Sequence, residues 1–382
     1  MKAAVLSKNL SHAVDLVKRI RSKDRLLPQL GHVLIATDNG RLAVRATDLT
    51  TDVTVWTGAQ VFEEGSISVP LHKFNFTVDE RVDLEVEGKC LSLIIGSTRQ
   101  TIIGQAGVDF PPVPKLGDSS QFYRCTGWAL AAALRKVLPS ALPNDSHSVV
   151  LQGVLIETGP NRLQVTACDG FRLTTVNLQT KVPKNSGEGQ FIIPGSTASF
   201  LIRAFAKEDE DVDISLTPTI ARFETNQIQI TCRLIAGSYP NYRQTIPANF
   251  AISLIALRTD LLTHLKAMQE YVKNGDGIIR MEVLADPWRM RLFAQAKDLG
   301  EYEGFIPVAK EVQATEPDPW RVAINNKYLR NALETLDGET ANIRILSPSR
   351  PIVISEGNCS HTIMPVFVVA WPAPVATEEK QE

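Results

Sequence analysis

The chain has 382 residues, 44% of them hydrophobic and 21% charged, and carries a net charge of −2. This is the composition of an ordinary globular protein, at a length one core seldom serves, so two or three domains are expected. The near-neutral balance excludes a broadly basic nucleic-acid binder, and apolar runs such as residues 366–371 are too short to span a bilayer. With no basic start followed by a long apolar run, no membrane role is expected and the compartment expected is the cytoplasm. Charge is unevenly spread, however. Seven basic side chains (Lys2, Lys8, Lys18, Arg19, Arg21, Lys23, Arg25) face two acidic ones (Asp15, Asp24) over residues 1–27, whereas Glu208-Asp209-Glu210-Asp211 and Glu378-Glu379 are acidic. A near-neutral protein with a local basic stripe can hold DNA in one place and repel it elsewhere, although a basic stretch taken alone is usually a solvated face.

In chain order, residues 1–10 read as a strand and turn, and 10–21 as an amphipathic helix. Residues 33–37 then alternate as a strand, Asp38-Asn39-Gly40 turns, and 41–46 returns as a second strand. A short strand at 66–70 leads into a helix near 71–78 and a strand at 82–86. The same series recurs with a helix at 128–138, strands at 154–158 and 163–167 around Gly159-Pro160-Asn161, a strand at 190–194, a helix at 196–207 and a strand at 212–216. It recurs again with a helix at 259–272, strands at 278–284 and 289–294 around Asp286-Pro287, a strand at 321–325, a helix at 326–336 and a strand at 341–346. The run from Asp109 to Pro114 returns as the run from Ser238 to Pro247. The repeat predicts an α+β chain of three similar domains, each two helices packed on antiparallel sheet, over 1–118, 119–248 and 249–382, with a tail at 367–382.

Catalytic chemistry finds no support. The six histidines (His12, His32, His72, His147, His264, His361) fall in unrelated segments, and no nucleophile elbow, HExxH or P-loop is present. Asp48 and Asp169 occupy equivalent repeat positions after a strand, which suits a turn better than an acid–base pair. Cys90, Cys125, Cys168, Cys232 and Cys359 lack metal-ligand spacing and are expected to be buried, reduced thiols. No catalytic residue, metal or cofactor is expected.

Several stretches together carry a resemblance. They are the run from Leu27 to Leu34, Ala46-Thr47-Asp48-Leu49, the run from Leu151 to Glu157, the run from Thr166 to Leu173, the run from Gly237 to Tyr242, the run from Asn325 to Leu329, and Ile363-Met364-Pro365. In order and spacing, across almost the whole chain, they resemble the β subunit family of bacterial DNA polymerase III, the sliding clamps. The resemblance implies a non-enzymatic processivity factor, a ring-forming head-to-tail homodimer of six similar domains with helices lining the hole. It would encircle double-stranded DNA without regard to sequence and tether the polymerase III alpha subunit, the clamp loader and repair polymerases through short clamp-binding peptides.

Phosphate contacts in such a hole must be weak and exchangeable, which Lys and Arg supply. Candidates are Lys18, Arg19, Arg21, Lys23, Arg25, Lys73, Arg135, Lys136, Arg203, Lys207, Lys266, Lys273, Lys327 and Arg330, about half of them expected to face the hole. The peptide groove that the resemblance implies would be walled by Leu151, Gly170, Phe171, Arg172, Leu173, Pro240, Tyr242, Ile363, Met364 and Pro365. Met364 suits a site that accepts varied peptides, and Arg172 is expected to fix the peptide backbone or a Gln side chain.

Two features depart from the family pattern. Gly195-Ser196 stands where clamps often carry basic residues, and Met364-Pro365-Val366 is followed by Phe367 rather than arginine, with fifteen further residues to Glu382. That tail is expected to hang free. The departures motivate an alternative, a clamp-like paralogue acting as a protein-interaction scaffold with an altered groove.

Overall fold

The computed structural model describes residues 1–20, 28–74, 80–117, 121–143, 146–160, 162–181, 187–285, 287–312, 320–368 and 371. One order of elements recurs three times: strand, helix, three strands, a fourth strand, a second helix or helical turn, and three more strands. The helices are α1 (Ser7–Val17), α2 (Gly127–Val137), α3 (Gly195–Ala204), α4 (Arg258–Ala267), α5 (Gln269–Asn274) and α6 (Asn326–Thr335). Every named strand pairing is antiparallel, so the architecture is α+β.

Side-chain periodicity explains why these segments are helices. In α1 the buried residues Leu10, Ala13, Val14 and Val17 recur at i, i+3, i+4 and i+7. In α6, Leu329, Ala332 and Leu333 are buried, and the Asn325 side chain caps the first turn by accepting from the Lys327 amide at 2.9 Å.

The helices differ from the sequence reading in four places. α1 starts at Ser7 and tightens into a 3₁₀ turn over Lys18–Ile20, while Arg21 lies outside the described residues. The helix expected near 71–78 begins as a 3₁₀ turn, Leu71–Lys73, followed by extended Phe74; residues 75–78 lie outside the described residues. α3 stops at Ala204, where fully buried Phe205 turns inward, so Lys207 follows the helix. The segment 259–272 is two helices rather than one. They meet at buried Met268, whose amide is shared by the His264 and Lys266 carbonyls.

The hairpin at Asp38 forms as the sequence requires. Asn39 (φ 48°) and Gly40 (φ 73°) both take the left-handed conformation of a type I′ turn. Three long strands were not anticipated: Thr51–Glu63, Arg172–Gln179 and Gly300–Val312. The first two bury polar side chains, which breaks the expected alternation. Asp52, for example, is buried with Arg45, whose Nε donates to both carboxylate oxygens at 3.0 and 2.8 Å. Burial pushes the Asp52 carboxyl upward against the pull of Arg45.

The chain divides into two compact units. The first contains residues 1–134, 153–163 and 178–237; the second contains 135–152, 164–177 and 238–382. In the first, a sheet runs through Gln121–Thr126, Asp211–Leu216, Ile220–Glu224, Ile228–Arg233, Thr51–Glu63, Lys2–Leu6, Arg81–Glu87, Cys90–Ile95 and Thr98–Ile103. In the second, the first residues of Arg172–Gln179 are followed by Cys359–Ile363, Ile352–Glu356, Thr340–Ile345, Ile252–Leu257, Gly300–Val312, Arg289–Ala296, Ile278–Leu284 and Trp320–Asn325. Four of the cysteines are buried; Cys90 is only half-buried, contrary to expectation, because it sits at a strand end. Burial pushes the Cys125, Cys232 and Cys359 thiols up to about 12, which leaves them protonated and inert.

Candidate functional site

The second unit holds an apolar cavity of about 160 Å³. Its floor begins at a turn. The Asp169 carboxylate accepts from the Phe171 and Arg172 amides at 3.0 and 2.9 Å, and Gly170 takes φ 91° between them. This projects Phe171 outward, 64% exposed, and starts the strand that carries Leu173. The Met364 amide donates to the Phe171 carbonyl at 2.8 Å and brings its thioether to the same rim. The opposite wall comes from the Pro240 segment. The Tyr239 hydroxyl accepts from the Cys168 amide at 3.0 Å, and the Tyr242 hydroxyl accepts from Gln164 at 3.2 Å. The two rings meet edge to face, with centroids 6.4 Å apart. Burial raises the Tyr239 phenol far above its ordinary value, so it remains a neutral hydrogen-bonding post.

Eight of the ten residues expected in the groove line this cavity: Leu151, Gly170, Phe171, Arg172, Leu173, Pro240, Tyr242 and Met364. Ile363 does not. It is 1% exposed and faces the core, because strand alternation sends Thr362 and Met364 to the cavity side instead. Pro365 is half-buried and carries the chain onward, and it is not a lining residue. Cys168, Asn241, Thr245 and Thr362 complete the lining and were missed. Thr362 was within reach of sequence reasoning, since it lies two residues from Met364 in an extended segment.

Arg172 is held by the protein behind the cavity. Its Nε donates to Asp169 at 2.9 Å, Nη2 donates to the Pro139 carbonyl, and the guanidinium lies 4.5 Å from the Tyr328 ring centre. With the Asn331 amide turned to satisfy both of its ends, Nη1 donates to that oxygen at 2.9 Å. Every nitrogen is engaged, and the side chain is 9% exposed. Arg172 therefore ties the cavity wall to the protein behind it.

Beyond that tie lies a buried chain of hydroxyls around His361. Thr335 donates to the Asn331 and Ala332 carbonyls, so at 3.0 Å it accepts from His361 Nε2–H. Nδ1 then accepts from Thr174 at 2.9 Å, and Thr174 in turn pairs with Ser140 at 2.7 Å. Burial, aided by Lys136 and Arg172, pushes the His361 pKa down to about 3.

Among the candidate phosphate contacts, Arg19, Lys73, Arg135, Arg203, Lys207, Lys266, Lys273 and Lys327 are exposed, and Lys18 is half-buried. Arg330 is half-buried and bonded to Glu334 at 2.7 Å and Gln269 at 3.3 Å. Lys136 leaves the set: its side chain is 11% exposed and its ammonium is held by Asp337 at 2.6 Å. Arg21, Lys23 and Arg25 lie outside the described residues. α3 opens with Gly195-Ser196 and offers no cation there. No helix among the described residues is long and apolar enough to cross a membrane.

Repeated α+β units whose sheets join strand to strand, with exposed cations on several helices and an apolar cavity, are the features of a clamp-type protein. The profile of the DNA polymerase III beta subunit central domain matches residues 129–241, and that of its C-terminal domain matches 243–367. The beta sliding clamp of Synechococcus elongatus is 28% identical, aligned over 93% of this chain and 95% of its own, and that of Chlamydia pneumoniae is 24% identical over 93% and 96%. Solved sliding clamps share the fold. The one from Bacillus subtilis superposes with a TM-score of 0.88 at 18% identity, covering 97% of this chain and 100% of its own. The Pseudomonas aeruginosa clamp bound to griselimycin gives 0.87 at 21%, covering 96% and 100%. The chain belongs to the DNA polymerase III beta subunit family. It is a sliding clamp, a processivity subunit with no catalytic chemistry of its own.

Proposed function

We propose that the chain, organised as domains 1–118, 119–248 and 249–382, closes head to tail with a second copy into a ring around double-stranded DNA. One observation carries this reading: two joints within the chain are built alike, and one copy of each half-joint is left over. In the first unit, Thr51–Val55 pairs with Ile228–Cys232; in the second, Arg172–Val176 pairs with Cys359–Ile363. Each joint lays the last strand of one repeat on the opening residues of the third strand of the preceding repeat. Asp48 and Asp169 begin those third strands, and Asp298-Leu299-Gly300-Glu301 stands at the same place in the last repeat.

There the partner strand is lacking. Residues 308–312 of Gly300–Val312 pair with Ile252–Leu257, whereas the corresponding edge of 300–306 has no strand partner among the described residues. The complementary piece is Thr98–Ile103, the strand of the first repeat that corresponds to Ile228–Arg233 and Cys359–Ile363. Among the described residues it pairs with Cys90–Ile95 alone, and Ile103 is 75% exposed. A second copy supplies the missing strand at both places, a heterologous contact that closes and removes two open edges.

Enclosure then holds DNA without base contacts, and exposed cations such as Arg135, Lys266 and Lys327 supply a salt-sensitive, sliding attraction to phosphate. The cavity at Leu173, Tyr242 and Met364 takes the apolar side chains of clamp-binding peptides on the polymerase III alpha subunit, the clamp loader and repair polymerases. The test is primer extension on a long circular template with the cognate polymerase and loader. Products thousands of nucleotides long in a single binding event support the reading. Unchanged short products on addition of the protein would favour the scaffold alternative.

A further inference from the structure

The first unit holds a cavity of its own, of about 540 Å³, at a seam in its sheet. Along the strand Thr51–Glu63, residues 51–55 pair with Ile228–Cys232 and residues 59–63 with Lys2–Val5. Trp56, Thr57 and Gly58 bridge from one partner to the other, and the Trp56 amide donates to the Gln227 carbonyl at 2.7 Å. α1 lies along this seam, with Lys8, His12 and Leu16 recurring at i, i+4 and i+8 on the cavity wall. Arg41 lines it as well. Its Nη1 donates to the Asn226 carbonyl at 2.8 Å, and its guanidinium lies 5.2 Å from the Trp56 ring centre. No Asp or Glu lines the cavity. The side chains of Lys8 and His12 are exposed and make no hydrogen bond or ion pair among the described residues. The Asp38 carboxylate is already taken, by Trp56 Nε1 at 2.6 Å and by the Asn39 amide at 2.8 Å. An ammonium, a guanidinium and an imidazole are thus gathered without a counter-charge, an arrangement that an anion relieves.

We propose that this cavity binds a nucleoside phosphate. Lys8, His12 and the remaining donors of Arg41 meet the phosphates. Leu16, Val55 and Ile228 give an apolar surface for a planar base. The side-chain amides of Asn9 and Asn226 offer donor and acceptor together, as the edge of a base requires. Pyrophosphate alone leaves the apolar surface wet, and a nucleoside alone leaves the cations unpaired. The seam also selects a compact ligand. Three residues of strand span about 10 Å, and paired strands close the seam at both ends, so an extended acidic peptide has no groove to follow. The same chemistry comes from a free nucleotide or from one unit of a single DNA strand. The site lies in the first unit and shares no residue with the peptide cavity of the second.

The test is calorimetric titration of the full-length protein with dADP, pyrophosphate, deoxyadenosine, a short oligodeoxyadenylate and a polyglutamate peptide of similar length. dADP should bind once per chain, about tenfold tighter than pyrophosphate or deoxyadenosine. Lys8→Ala with His12→Ala, both at exposed positions, should weaken dADP binding about tenfold without shifting thermal unfolding. Asn9→Trp should fill the cavity and abolish binding with every cation still in place. Asn226→Trp should do the same from the hairpin side, so a folding defect in one variant leaves the other to decide. An oligodeoxyadenylate that displaces dADP identifies a DNA strand as the source, and one that fails to displace it identifies the free nucleotide; either supports the site. dADP binding no tighter than pyrophosphate, or binding that survives both tryptophan variants, would reduce the site to surface charge and overturn it. Polyglutamate binding as tight as dADP, or no dADP binding at millimolar concentration, would overturn it equally.

Discussion

At Arg172 the sequence points to a position but not to its partners. Its place beside the cavity follows from resemblance at the run Asp169-Gly170-Phe171-Arg172, but its partners Pro139, Tyr328 and Asn331 are remote in sequence, and only folding brings them against the guanidinium. Arg172→Lys keeps the charge and loses the fork, so it should lower unfolding stability by about 2–3 kcal/mol and weaken peptide binding in parallel. Urea denaturation checks the first part, and an unchanged midpoint would mean the guanidinium is not structural. His361 yields a pH dependence. Its folded pKa of about 3 lies below the ordinary 6.5, so the folded state resists protonation. The stability it permits is complete above about pH 6.5 and is lost as pH falls toward 3. On going from pH 7 to pH 4.5, His361 should account for a loss of roughly 2–3 kcal/mol. His361→Gln should lose less over the same interval, measured by urea midpoints at the two pH values.

At the scale of elements, helices and hairpins were legible wherever a periodic apolar face met an unambiguous turn, as in α1, α6 and Asp38-Asn39-Gly40. The long third strands Thr51–Glu63 and Arg172–Gln179 escaped because they bury polar side chains: Asp52, for example, is a buried carboxylate satisfied by Arg45 on the neighbouring strand, and a charged residue in a strand reads from sequence as exposed. The cavity lining was partly hidden for a related reason: resemblance pointed to Ile363, whereas alternation assigns Thr362 and Met364. The turn that opens each third strand gives a prediction. Asp48-Leu49 and Asp169-Gly170 are equivalent, yet Leu49 takes φ 70°, a conformation that costs a branched side chain, where Gly170 takes φ 91° freely. Leu49→Gly should therefore stabilise the protein by about 0.5–1 kcal/mol. Gly170→Ala, with open space around its Cβ, should cost about 1 kcal/mol through backbone strain alone. Thermal unfolding of the two variants, with shifts of opposite sign, checks both.

For the whole molecule, periodicity reveals the repeats, and the open strand edges at Gly300–Val312 and Thr98–Ile103 are the basis for the proposed closure on a second copy. Phosphate attraction should be a minor part of the hold on DNA. Arg135→Glu combined with Lys327→Glu should weaken binding to linear duplex several-fold at low salt and flatten its salt dependence, while a loaded ring persists on a circle. The most direct measurement joins Ile103→Cys to Glu301→Cys, loads the protein onto a nicked circular plasmid, oxidises it, and follows retention in 1 M salt before and after the plasmid is cut once. Enclosure predicts a covalent dimer that survives on the circle and runs off the linear product. Loss from the circle despite an intermolecular disulfide, or equal retention on both forms of DNA, would contradict it.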